Sequence, residues 1–424
     1  MLIREDVVDY FKEYERIPYN ILERELKVPL ESKFIISIIG PRRSGKTYFL
    51  FSLYNRLENA IYLNLEDTRL SDITFKELRE VIRIFIEMYG KEPKYLLLDE
   101  IQNVDGWEKI VREFHDLEKY RIFISGSSSK LLSKEIATQL RGRALSFLLL
   151  PFSFREFLRF RQFSIERYLS KDEEAKVKNL LLKYMEYGGF PDVIKNEEKI
   201  RILREYSDLI LFRDFIERHK IRNLELARMI HNFMLQNYAK EISIRSLYGK
   251  LKTITKVGKD TVYDYVAKLE DTMFFFLLRK YSFKAHLRES WPKKIYLCDT
   301  GLTKIVRYSQ NYGRLMENIV LLEIMRKKND NPLIDVFYLK FPDGEVDFVI
   351  KEGMDVKQLV QVTYSSARDE IETREIKALI KASEILHCNN LLIITWDYED
   401  KIKVNKKTIK CVPLWKWLLA YHSQ

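Results

Sequence analysis

From Lys33 onward, short apolar runs alternate with amphipathic stretches. FIISIIG (34–40) is a β-branched run ending in glycine, the pattern of a buried strand followed by a turn. AIYLNLED (60–67), YLLLDEI (95–101) and RIFISGSS (121–128) predict three further strands. Between them, FKELREVIRIFIEMYG and GWEKIVREFHDLEKY carry helical spacing. Continuous apolar strands alternating with such helices predict a parallel sheet covered on both faces. LSFLLLPFSFREFLRF (145–160) closes this part, with Pro151 breaking the strand. Residues 1–30 predict a charged, amphipathic helical lead-in.

Residues 163–240 are mostly helical in pattern, interrupted by the Gly-Gly-x-Pro turn YGGFPDV (187–193). A compact basic block follows at 241–295, and from about 295 the pattern returns to mixed strand and helix. KIYLCDTGL, DVFYLKF, EVDFVI and QLVQVTY predict strands, and LMENIVLLEIMRKK predicts a helix. The expected division is an α/β core at 1–160, a helical part at 161–240, a basic segment at 241–294 and a second α/β domain at 295–424.

Composition narrows the partners. With 424 residues the chain has room for about two or three domains. Hydrophobic residues at 46% supply several cores, which excludes a disordered or low-complexity chain. The formal charge of +11 points to nucleic acid or an anionic membrane surface, with a lysine-rich soluble surface as the plain alternative. Cys298, Cys388 and Cys411 are widely spaced, so neither a disulfide framework nor a structural zinc site is expected. No run approaches about 18 apolar residues, and the N-terminus carries charges throughout. The expectation is a cytoplasmic chain without a membrane span or signal peptide.

GPRRSGKT (40–47) satisfies G-x-x-x-x-G-K-[ST], between an apolar strand and the helical YFLFSLYNRL. Gly40 and Gly45 let the backbone turn so that successive N–H groups face phosphate oxygens. The expected ATP-binding set runs through Gly40, Pro41, Arg42, Arg43, Ser44, Gly45, Lys46, Thr47 and Tyr48. Lys46 reaches the β- and γ-phosphates, and Thr47 offers a hydroxyl to Mg²⁺. YLLLDEIQ (95–102) ends in two carboxylates: Asp99 for Mg²⁺, and Glu100 as the base that orients or deprotonates water. Asn64, ending the second strand, is a candidate to position Glu100.

GPRRSGKT, LLLDEIQ, SGSSSKLL, RGR-x-L…LLPFSFREF and YGGFPDV occur in that order. Together they resemble the archaeal and bacterial AAA+-like P-loop ATPases whose C-terminal half is a domain of unknown function (DUF4143 type) with a restriction-endonuclease-like fold. The resemblance covers nearly the whole chain. It implies an ATPase core, a helical lid, a winged-helix segment and a nuclease-like module. It also implies a polar residue at the end of the fourth strand that senses the γ-phosphate, for which Ser125 and Ser127 are both candidates. Arg141 or Arg143 is the candidate trans-acting arginine finger of a homo-oligomer, with Arg213 a further one.

The basic block SIRSLYGKLKTITKVGKDTVYDYVAKLEDTMFFFLLRKYSFK (243–284) predicts helix, turn, helix and strand. Its second helix carries Val262, Val266 and Leu269 at helical spacing. Lys256, Lys259, Thr261 and Lys284 are the candidate DNA contacts, touching phosphate rather than reading bases, although such modules also bind protein. In the C-terminal domain, Glu317 and Asp347 are candidate metal ligands. Gln361-Val-Thr363 stands where a restriction-endonuclease-like site has Glu-x-Lys, which argues against cleavage. The expected activity is Mg²⁺-dependent ATP hydrolysis coupled to remodelling of duplex or branched DNA in replication or repair. The alternatives are a signalling or scaffold NTPase binding protein through its C-terminal half, and an ATP-gated nuclease.

Overall fold

The structure is a computed structural model, and it describes residues 3–15, 21–70, 73–126, 140–163, 169–284, 291–306, 311–404 and 406–420. The chain divides into two compact units, Met1–Leu150 and Pro151–Gln424.

The first unit is built on a five-stranded parallel sheet. Its strands are β1 (Ile35–Ile39), β2 (Ala60–Asn64), β3 (Tyr95–Asp99), β4 (Arg121–Gly126) and β5 (Ala144–Leu148), in the spatial order β2-β3-β4-β1-β5. Every residue of β1 and β3 is buried, which is why these strands are apolar runs rather than alternating ones. Around the sheet lie α1 (Arg4–Tyr14), α2 (Lys46–Tyr54), α3 (Glu77–Tyr89) and α4 (Trp107–Asp116). Phe11 of α1 meets Phe85 of α3 with ring centroids 5.3 Å apart. Among its described residues the lead-in is helical only at 4–14. From Ile21 the chain has no helix and lays Ile21, Leu26, Val28 and Leu30 on the sheet's core. Pro29 disfavours helix at Val28, which breaks the helical continuation expected there.

The second unit begins at Pro151, ahead of the division expected at 160. Helix α5 (Phe154–Phe160) belongs to it, because Phe154 and Phe157 pack on Tyr184 of α6 (Lys171–Tyr187) at 5.5 and 5.4 Å. Ser153 and Glu156 close a capping box at the start of α5. The YGGFPDV turn follows α6. Gly188 adopts φ +76°, and a Cβ there would lie 1.6 Å from Asp299 Oδ1, so no side chain fits. Asp299 accepts the Gly189 and Gly301 N–H groups at 2.6 and 2.8 Å, clamping the turn. Then come α7 (Pro191–Lys195), α8 (Lys199–Leu209), a π-helical stretch at Ile210–Glu217 and α9 (Leu224–Gln236).

β6 (Lys240–Ile242), α10 (Ile244–Lys252), α11 (Lys259–Asp271), β7 (Phe275–Leu278) and β8 (Lys293–Leu297) follow, and the strands form an antiparallel sheet in the order β6-β8-β7. Val262, Val266 and Leu269 of α11 are buried, each side chain contributing roughly 1.5–3 kcal/mol by leaving water. The division expected after 294 falls inside β8, whose Ile295 pairs with both Lys240 and Leu277. Beyond α12 (Tyr312–Asp330), a six-stranded mixed sheet contains β9 (Ile334–Phe341), β10 (Gly344–Glu352), β11 (Asp355–Val362), β12 (Leu391–Thr395), β13 (Asp400–Val404) and β14 (Lys407–Pro413). Its order is β13-β14-β12-β11-β10-β9, with α13 (Thr373–Ile385) joining β11 to β12 and α14 (Leu414–Ala420) ending the described chain.

Candidate active site

The loop after β1 turns sharply into α2. Gly45 caps the helix at φ +96°, a conformation open to glycine and costly for other residues. A Cβ on Gly40 would lie 2.1 Å from the Leu149 carbonyl oxygen, so only glycine passes the end of β5 there. Arg43 is held at φ 67°, which costs roughly 1–3 kcal/mol in a residue with a Cβ. Lys46 is buried, and its Nζ donates to the Gly40 and Pro41 carbonyls at 3.1 and 3.0 Å. The Ser44 hydroxyl is buried without a hydrogen-bond partner among the described residues, while Tyr48 stands exposed at the start of α2.

Asp99, the last residue of β3, is fully buried. Its carboxylate accepts from the Tyr62 hydroxyl at 2.8 Å and from the hydroxyls of Ser125 and Thr47. Burial, and then the neighbouring Glu100, push its pKa up against those three bonds. Moving a carboxylate out of water costs several kcal/mol, and hydrogen bonds to it return roughly 1.5–3 kcal/mol each. Thr47 and Asp99 offer a divalent cation an all-oxygen donor set, so these residues fit Mg²⁺. Glu100 departs from the strand at φ 51°. Its N–H donates to Ser125 Oγ at 3.4 Å and its carboxylate accepts from Gln102.

Strand order explains the meeting. β4 lies between β1 and β3, so Ser125 stands between the loop after β1 and the carboxylates after β3. Thus Lys46, Thr47, Asp99, Glu100 and Ser125 converge at one end of the sheet. Asn64 pairs in register with Asp99, but its side-chain amide donates to Tyr14 and its side-chain oxygen accepts from the Glu66 N–H. It serves its own turn. Ser127 lies outside the described residues.

Two features were not legible in the motif. Tyr62 supplies one of the bonds to Asp99. Arg24, in the lead-in, donates to the Ser44 carbonyl at 2.9 Å and to the Leu150 carbonyl at 2.7 Å, strapping the phosphate loop from outside.

The arginines lie elsewhere. Arg141 is exposed, and Arg143 pairs with Asp116 at 2.8 Å, both before β5 begins. β5 runs parallel to β1, so they sit at the opposite end of the sheet from the loop, about 16 Å along the strands. They do not reach the site of their own chain. Arg213 is exposed on the π-helical stretch of the second unit. Lys256 and Lys259 are exposed at the N-terminal end of α11, with Lys259 Nζ 5.6 Å from the Tyr263 ring centroid. Thr261 is half-buried, and Lys284 is exposed beyond β7, on a different segment.

Glu317 of α12 and Asp347 of β10 come together around Lys294 of β8. Its ammonium lies 2.9 Å from Glu317, 3.0 Å from Asp347 and 3.1 Å from Glu345. Burial raises the pKa of both Glu317 and Asp347, and Lys294 opposes the rise. For Lys294, burial pulls down, but Glu317, Asp347 and Glu345 outweigh it and hold the ammonium charged. Gln361 accepts the backbone N–H of Asp347 at 3.3 Å, and the Thr363 side chain bonds Glu375. Among the described residues, no group of three or more His, Cys, Asp or Glu side chains is arranged to hold a metal.

Residues 32–158 match the AAA domain (AAA_14), and residues 178–310 match a domain of unknown function, DUF8612. The uncharacterised protein MJ1544 of Methanocaldococcus jannaschii is 40% identical over 95% of this chain and 92% of its own length. The chain belongs to the family of MJ1544. An uncharacterised Haemophilus influenzae protein is 27% identical, over 92% of this chain and 95% of its own. Among solved structures, the Walker-type ATPase PABY2304 of Pyrococcus abyssi is similar, with TM-score 0.40 and 15% identity, covering 72% of this chain and 96% of that one. Cdc6p of Pyrobaculum aerophilum gives TM-score 0.24 and 11% identity, covering 75% of this chain and 93% of that one. The AAA match and the phosphate loop on its parallel sheet make this member of the family a P-loop, nucleotide-hydrolysing ATPase. None of its described helices is long and apolar enough to cross a membrane.

Proposed function

We propose that this chain is a Mg²⁺-dependent ATPase that binds duplex or branched DNA and couples hydrolysis to DNA remodelling in replication or repair. The observation that carries the catalytic part is the convergence of Lys46, Thr47 and Asp99 on one buried position beside Glu100 and Ser125. The N–H groups of the loop and the positive end of α2 face a triphosphate. Lys46 exchanges the carbonyls of Gly40 and Pro41 for β- and γ-phosphate oxygens. Mg²⁺ held by Thr47 and Asp99 supplies charge neutralisation at the phosphates. Glu100 orients the attacking water, and Ser125, already bonded to Asp99 and to the Glu100 N–H, registers the γ-phosphate. Arg141 or Arg143 acts on a neighbouring copy, which makes the working form at least a dimer.

The net charge of +11 supports the DNA part, together with the exposed Lys256, Lys259 and Lys284. The order α9-β6-α10-α11-β7-β8 supports a winged-helix reading, in which α11 is the helix that meets DNA. The sheet β9–β14 resembles a restriction-endonuclease-like fold. The test is DNA affinity across a salt series. Three phosphate contacts predict a roughly 40-fold loss between about 50 and about 200 mM salt. The Lys256→Ala/Lys259→Ala variant lowers the logarithmic slope by about two. Absence of binding to duplex, single-stranded and four-way DNA at low salt overturns the DNA reading and favours a protein-binding scaffold.

A further inference from the structure

A restriction-endonuclease-like fold implies a divalent cation between the helix glutamate and the strand aspartate, here Glu317 and Asp347. The donor set does not fit one. We propose that the Lys294 ammonium has taken the cation's place, so that this cluster is a permanent ionic lock between β8, α12 and β10 and not a metal centre.

The geometry carries this. All three N–H donors of an ammonium are spent when it meets three carboxylates, and Lys294 meets Glu317, Asp347 and Glu345 at 2.9–3.1 Å. The Tyr296 hydroxyl donates to the same Glu317 Oε1 at 2.5 Å, and the Val362 N–H donates to the second Asp347 oxygen, Oδ2, at 3.0 Å. A Mg²⁺ bound to the same oxygens at about 2.1 Å would sit against a charged ammonium that is itself only 2% exposed. Access is not the obstacle. A cavity of about 250 Å³, lined by Lys340, Gly344, Glu345, Gln361 and Arg374 among others, opens beside the cluster. The charge missing at Thr363 has not come back as a catalytic lysine on the same strand. It comes from a different sheet and lies among the carboxylates rather than beside a nucleophile.

The inference does not depend on the ATPase reading, and its test uses Mn²⁺ on the full chain without nucleotide, followed by electron paramagnetic resonance. The wild type and Asp347→Asn are expected to bind Mn²⁺ equally weakly. Lys294→Met, which keeps the length and removes the charge, is expected to gain one Mn²⁺ per chain, bound about tenfold or more tighter than any wild-type site. Adding Asp347→Asn to it removes that gain. The proposal is overturned if wild-type Mn²⁺ binding drops in Asp347→Asn, or if folded Lys294→Met gains nothing. Should Lys294→Met not fold, the wild-type comparison with Asp347→Asn decides alone.

Discussion

A trans peptide sends its C=O and N–H in opposite directions. By holding the Ser44 carbonyl, Arg24 therefore fixes the direction of the Gly45 N–H within the phosphate loop. Its second amine group ties the same guanidinium to Leu150, fixing the strap's angle. Arg24→Ala is expected to weaken ATP binding about tenfold, raising KM with little change in kcat. Arg24→Lys should recover only part of this, because an ammonium does not reproduce a planar two-pronged bridge. Fluorescent ATP-analogue titration alongside steady-state kinetics checks both. An unchanged KM in Arg24→Ala would remove the role. Lys46, Thr47, Asp99 and Glu100 were legible because a local spacing encodes them. Arg24 was not, since its partners lie 20 and 126 residues away. Lys294 was hidden for the same reason, as its carboxylates come from two later segments, α12 and β10.

At the level of elements, the type of most segments as far as β11 could be read along the chain, 21–30 excepted, but neighbourhood could not. The apolar runs at β1 to β4 announce buried parallel strands. Nothing in them says that β4 lies between β1 and β3, the fact that gives Ser125 its place. Likewise β8 reads as the opening strand of a new domain, yet it pairs with β6 and β7. The module around β6–β8 carries its own pH signature. His231 of α9 is buried against Phe274 and Phe275, at 5.5 and 5.6 Å, and burial lowers its pKa to about 4. A depressed histidine favours folding fully above the unfolded value near 6.5, and this contribution disappears as pH falls through 4. The wild type should therefore lose about 3 kcal/mol between pH 7 and pH 4 beyond what His231→Phe loses. Urea unfolding at both pH values measures the difference. Parallel losses in the two proteins would show that His231 is not the titrating group.

Across the whole molecule, charge and chemistry separate. The surplus of eleven positive charges belongs to the chain as a whole, whereas the acidic side chains that matter gather in two clusters. One cluster, Asp99 with Glu100, stands beside a phosphate loop. The other, Glu317 with Asp347 and Glu345, already holds Lys294. On this account the chain does its phosphate chemistry at the first cluster only. The most direct measurement is Mg²⁺-dependent ATP hydrolysis by the full chain beside Lys46→Ala and Glu100→Gln, with nucleotide binding followed in parallel. Turnover is expected in the wild type and absent in Lys46→Ala, while Glu100→Gln binds ATP like the wild type and turns over about 100-fold or more slowly. Wild-type rates in Lys46→Ala, or an unchanged rate in Glu100→Gln, would contradict it.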